Sequence, residues 1–174
     1  QVHRTGGPSL RPAGPCVMVI FGAAGDLTKR KLIPAIHNLM TDGLLPEQFA
    51  VVGVARDELG IEQFRDRLLQ QLSEFLAGEP ARREWVSKRL YYVQGNFSEA
   101  QAYQRLKEVL AQVDRDHGTG GNYLYYLATP PSFFGTIVEQ LGAVGLIREE
   151  NGTWRRIVIE KPFGHDLDSA RSLN

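Results

Sequence analysis

Cys16-Val-Met-Val-Ile-Phe21 is a continuous apolar run that breaks at Gly22-Ala-Ala-Gly25-Asp-Leu27. An apolar run this short, with no polar alternation, predicts a strand covered on both faces, as in a parallel sheet. The glycines at 22 and 25 predict a tight turn. Beyond it Leu32, Ile36, Leu39 and Met40 fall on one side of an expected helix, which Pro34 delays or kinks and Asp42-Gly43 ends.

The same unit recurs along the chain. Phe49 to Val54 predicts a second strand, and Ile61, Phe64, Leu68, Leu72, Phe75 and Leu76 form the stripe of an amphipathic helix. Gly78-Glu-Pro80 marks a turn, and the basic stretch 81–89 a short surface helix. Leu90 to Val93 reads as a third strand. Ser98-Glu-Ala-Gln101 has capping-box spacing before a helix with Tyr103, Leu106, Leu110 and Val113 inward. After a loop at His117-Gly-Thr-Gly-Gly121, Tyr123 to Ala128 predicts a fourth strand, closed by Thr129-Pro130-Pro131. A helix over Phe133 to Leu141 and a fifth strand over Arg156 to Glu160, closed by Lys161-Pro162, complete the series. Such alternation implies an α/β fold: a Rossmann-like, doubly wound parallel sheet of five or more strands with helices on both faces.

The bulk numbers bound the function. Of 174 residues, 43% are hydrophobic and 23% charged, as expected of a globular domain over 16–174 behind a flexible leader over 1–15. Lys+Arg and Asp+Glu are both 20, so no global field recruits nucleic acid or a membrane surface. The single cysteine, Cys16, cannot form an internal disulfide, which fits a cytoplasmic setting, and no Cys/His spacing resembles a metal site. No apolar run approaches the roughly 20 residues of a membrane helix. From Asp166 to Asn174 the pattern is that of a helix only begun, so a longer parent chain is expected.

Right-handed crossovers put the C-terminal ends of all strands on one edge, outside which open α/β sheets bind their ligands. At the first strand's exit, Gly22, Ala23, Ala24, Gly25, Asp26, Leu27 and Thr28 suit a pyrophosphate cradle at a helix N-terminus. The fingerprint is imperfect, with Ala24 and Thr28 at two glycine positions, and a tight turn with no ligand is the plainer alternative. Lys29, Arg30 and Lys31 oppose the helix dipole, a cost that a bound polyphosphate would turn into attraction; a solvated basic face is the alternative. At the second exit Arg56 suits the 2′-phosphate of NADP. Asp57 beside it either pairs with Arg56 or repels that phosphate, leaving NAD as second choice. The third exit brings Asn96 and Phe97, with Asn96 either a cofactor ligand or the start of a loop. The fourth brings Thr129 and Pro130, which either line a nicotinamide channel or simply turn the chain, while Phe133 and Phe134 are expected in the core. The fifth brings Lys161, either well placed for an anionic substrate or a Lys-Pro strand terminator on the surface, ahead of a Pro162 whose bond is a candidate for cis.

Gly22-Ala-Ala-Gly-Asp-Leu27 with Lys29 and Lys31, Gly53-Val-Ala-Arg56, Ala128-Thr-Pro-Pro131 and Glu160-Lys-Pro-Phe-Gly164 together resemble glucose-6-phosphate dehydrogenase, from about Cys16 onward. The resemblance implies oxidation of glucose 6-phosphate to 6-phosphogluconolactone in the pentose phosphate pathway, with hydride passing to NADP. It implies that Gly22 to Lys29 wraps the cofactor's phosphates and that Arg56 holds the 2′-phosphate. Lys161 would touch cofactor and substrate, with Pro162 as the cis residue placing it. Ala24 stands where the family often has Ser, and Asp57 where a neutral residue is usual. The family's catalytic histidine belongs to a second α+β domain, through which the full-length proteins pair. No catalytic residue is therefore assigned here, to His165, His37, His3 or His117 included, and this chain alone is expected to be inactive and monomeric. A nucleotide-sensing module without catalysis is the other reading. A P-loop phosphotransferase is not, since Lys29-Arg-Lys31 lacks the G-x-x-x-x-G-K-[ST] spacing.

Overall fold

The computed structural model describes residues 14–23, 47–58, 60–73, 78 and 80–159. Its strands are β1 (Cys16–Phe21), β2 (Phe49–Ala55), β3 (Leu90–Gln94), β4 (Tyr123–Leu127) and β5 (Arg155–Ile159). All pair in parallel, in the order β3-β2-β1-β4-β5. The chain runs outward from β1 to β3 and then resumes on β1's other side with β4. That reversal opens a crevice at the C-terminal ends of β1 and β4. The helices are α1 (Ile61–Gln71), α2 (Pro80–Ser87), α3 (Ala100–His117) and α4 (Phe134–Ala143), the last entered by a 3-10 turn at Pro131–Phe133.

The pleat explains why β1 contains no polar residue. Val17, Val19 and Phe21 point to one face, where they meet Tyr103, Leu106 and Leu110 of α3 and Ile137 and Leu141 of α4. Cys16, Met18 and Ile20 point to the other, against Phe64, Leu68, Leu69 and Val86 of α1 and α2. Every β1 residue is 0% exposed. Each such burial contributes about 1.5–3 kcal/mol, so polar substitutions are costly on either side.

Local signals hold most elements and miss some ends. At the start of α1, Gln63 reaches back to the N–H of Gly60 at 3.0 Å. Ile61, expected in the buried stripe, is 37% exposed because it stands on the helix's first turn, while Leu69 takes a core position instead. The Ser98–Gln101 capping box does not form: Glu99 is the N-cap of α3. Its carboxylate accepts from the Asn96 N–H at 3.2 Å and pairs with Arg105 at 3.3 Å, which moves the start of the helix.

His117, expected in a loop, is the last residue of α3. Gly118 follows as a left-handed cap at φ 65° and donates its N–H to the Asp114 carbonyl at 2.9 Å. The Asp114 carboxylate then gathers the loop, accepting from the Thr119 hydroxyl, the Gly121 N–H at 3.1 Å and the Tyr123 hydroxyl at 2.7 Å.

Candidate functional site

At the C-terminal edge of the sheet, Gly22, Ala55, Arg56, Asp57, Phe97, Ala128, Thr129, Pro130 and Phe133 line a cleft of about 250 Å³. They come from the ends of β1, β2, β3 and β4, so sequence-distant candidates converge on one crevice. The volume lies just under the roughly 300–1,000 Å³ of a small-molecule pocket.

The turn after β2 is held by side chains of β3. The single proton of the Tyr92 hydroxyl is shared between the carbonyls of Asp57 at 2.6 Å and Ala55 at 3.2 Å, and Gln94 Nε2 donates to the Arg56 carbonyl at 3.2 Å. Burial, with the nearby Asp57 charge second, pushes the Tyr92 hydroxyl up to about 12, so it stays a donor. Asp57 pairs with Arg67 of α1, Oδ2 to Nη1 3.8 Å, and not with its neighbour Arg56. Among the described residues, no carboxylate pairs with Arg56.

The glycine turn has a structural duty first. Gly22 has φ +88°, and a β-carbon on it would stand 2.5 Å from the Ala128 carbonyl oxygen. Its N–H donates to the Val54 carbonyl at 2.8 Å, as does that of Ala23 at 3.4 Å. Those two amides are thus engaged by the end of β2. Ala24, Gly25, Asp26, Leu27, Thr28, Lys29 and Lys31 lie outside the described residues, as do Lys161, Pro162, His3, His37 and His165.

On the β3 and β4 side, Phe97 is buried and meets Phe21 edge-on at 6.1 Å. Thr129, 6% exposed, and Pro130 stand beside it in the cleft wall. Asn96 is exposed and absent from that wall; its backbone serves the loop before α3. Phe133 corrects the sequence expectation. It is 36% exposed and lines the cleft, its ring edge-on to Phe97 at 5.4 Å, while Phe134 is buried as expected. The signal was present in the phase: Phe134, Ile137 and Leu141 make the α4 core stripe, and Phe133 is out of register with it.

Among the described residues, no histidine or cysteine lines the cleft. His117 bonds the Tyr91 hydroxyl through Nε2 at 2.8 Å, beside the N-terminal ends of the strands. Burial pushes the Cys16 thiol up to about 12, which leaves it no nucleophile. Among the described residues, no cluster of three or more His, Cys, Asp or Glu could hold a metal ion, and no helix is long and apolar enough to cross a membrane.

A family model described as "Glucose-6-phosphate dehydrogenase, NAD binding domain" matches residues 19–174. The chain is 47% identical over 173 residues to a "Glucose-6-phosphate 1-dehydrogenase" from Chlamydia muridarum (strain MoPn / Nigg), covering 96% of this chain and 34% of that one. With the Bacillus subtilis (strain 168) protein of the same name it shares 40% over 158 residues, or 91% and 31% of the two chains. A solved glucose-6-phosphate 1-dehydrogenase from Mycobacterium avium superposes with a TM-score of 0.70 at 33% identity, over 92% of this chain and 33% of that one. Another, of glucose-6-phosphate dehydrogenase in complex with its substrate glucose-6-phosphate, gives 0.73 at 29%, over 95% and 34%. The chain thus spans about a third of the length of the curated relatives it matches.

Proposed function

The chain belongs to the glucose-6-phosphate dehydrogenase family through that family's NAD binding domain, and we propose that it is the platform on which the whole protein holds NADP while oxidising glucose 6-phosphate to 6-phosphogluconolactone. One observation carries this reading: Gly22, Arg56, Phe97, Thr129 and Pro130 share a single cleft at the topological switch of the sheet. When bound, the cofactor supplies the hydride acceptor at its nicotinamide; the residues of this chain bind and orient it.

Arg56 favours NADP over NAD. Its planar guanidinium gives paired N–H donors to a phosphate and a face to stack on, and no carboxylate among the described residues competes for it. Phe97 and Phe133 offer an apolar wall that accepts a flat ring, and Thr129 and Pro130 form a rigid margin towards β4. Ala24 to Lys31 would wrap the phosphates, and Lys161 would meet both cofactor and sugar phosphate. Asn96 would reach the cofactor only from outside this wall. The proton leaving the sugar's C1 hydroxyl goes to a base beyond this chain.

The whole protein would act in the cytoplasm as a homo-oligomer, in the pentose phosphate pathway, with glucose 6-phosphate as its partner and no nucleic acid or membrane. Calorimetric titration of NADP and NAD into the 174-residue chain tests the reading. Binding of NADP ahead of NAD is expected, with no turnover of glucose 6-phosphate. No heat from either cofactor at millimolar concentration would overturn the cofactor role.

A further inference from the structure

Asp57 is the one acidic residue in the cleft wall among the described residues, immediately after Arg56. A carboxylate at this strand end ordinarily bonds the ribose hydroxyls of NAD and repels the 2′-phosphate of NADP. The turn that carries it is pinned from β3. The Tyr92 hydroxyl and Gln94 Nε2 hold the carbonyls of Ala55, Arg56 and Asp57. With the backbone of the turn held, Arg67 is the cation that pairs with this carboxylate among the described residues, at 3.8 Å.

The packing beneath keeps Arg67 in range. Phe64, one helical turn before Arg67, is buried and packs on the Tyr92 ring at 4.9 Å. One tyrosine therefore anchors α1 through its ring and the turn with Asp57 through its hydroxyl. Arg67 itself is not part of the cleft wall.

We propose that Arg67, a residue of α1 outside the cleft, sets the preference for NADP over NAD by neutralising the Asp57 carboxylate beside the 2′-phosphate position. It is a positioning residue, acting through Asp57 and not by touching the cofactor. The inference rests on the NADP reading of the cleft and adds to it the determinant of the ratio. Both side chains are half exposed, 43% for Arg67 and 53% for Asp57, so solvent screening keeps the effect modest.

The test is calorimetric titration of NADP and of NAD into the chain and its Arg67→Ala, Arg67→Lys and Arg67→Ala/Asp57→Asn variants. Arg67→Ala should weaken NADP about three- to five-fold, the upper range for an exposed ion pair, while NAD holds or tightens. Asp57→Asn in the same chain should restore NADP, and Arg67→Lys should keep the wild-type ratio. Equal weakening of both cofactors by Arg67→Ala would reduce Arg67 to a structural role. A double variant as weak for NADP as Arg67→Ala alone would mean that Arg67 grips the phosphate itself, and the proposal fails. If wild type binds both cofactors and the ratio is unmoved in Arg67→Ala, this inference falls alone. Should wild type bind neither, the NADP reading falls and takes the inference with it.

Discussion

The α-carbon of Gly22 faces the carbonyl oxygen of Ala128 so closely that a β-carbon would stand 2.5 Å from it. The end of β1 and the end of β4 are thereby drawn together at the crevice where the strand order reverses.

Replacing Gly22 by Ala should therefore act twice. The left-handed backbone at φ +88° strains any side chain, and the clash forces β1 from β4. A loss of at least about 2 kcal/mol in urea unfolding is expected. Unfolding at the wild-type midpoint would show that the contact at Ala128 is slack.

Arg56→Ala should weaken NADP by about 1.5–3 kcal/mol, the range of a hydrogen bond to a charged group, and leave NAD unchanged. Paired titrations of the two cofactors measure this. An equal loss for both would remove Arg56 from the 2′-phosphate.

At the other end of the sheet, Asp114→Ala strips the acceptors of Thr119, the Gly121 N–H and Tyr123. Thr119 is 0% exposed, so water cannot readily replace the carboxylate. About 2–3 kcal/mol of stability should go, and Asp114→Asn, which keeps one carbonyl oxygen, should lose less. Denaturation midpoints of the two variants decide it.

His117 gives the fold a pH dependence. Burial first, and the Arg89 charge second, hold its pKa below the ordinary 6.5, partly offset by Asp116. The unfolded chain thus takes up the proton first on acidification. The stability due to neutral His117 is whole above 6.5 and is lost as pH falls through the depressed folded value. His117→Gln should flatten this part of the stability profile between neutral and mildly acidic pH. Parallel profiles for wild type and variant would contradict it.

Much of this was legible in the residues. The unbroken apolar runs at Cys16–Phe21 and Phe49–Ala55 could be buried only on two faces, which requires helices above and below. Arg56 follows directly from the end of β2, because backbone connectivity alone carries it to the sheet edge.

Other features depended on which residues meet across space. Apolar runs specify burial but not lateral neighbours, so the order β3-β2-β1-β4-β5 came only from packing. Asp57 found Arg67 rather than Arg56 because α1 packs on β3 beside the turn, a pairing of charges that no local pattern records. Phe133 left the core for the cleft because a 3-10 turn at Pro131 set it out of phase with α4. Covalent neighbours and local periodicity were enough to name the elements; the partners of individual charges and rings were decided by the assembled sheet, where side chains distant in sequence compete for the same contact.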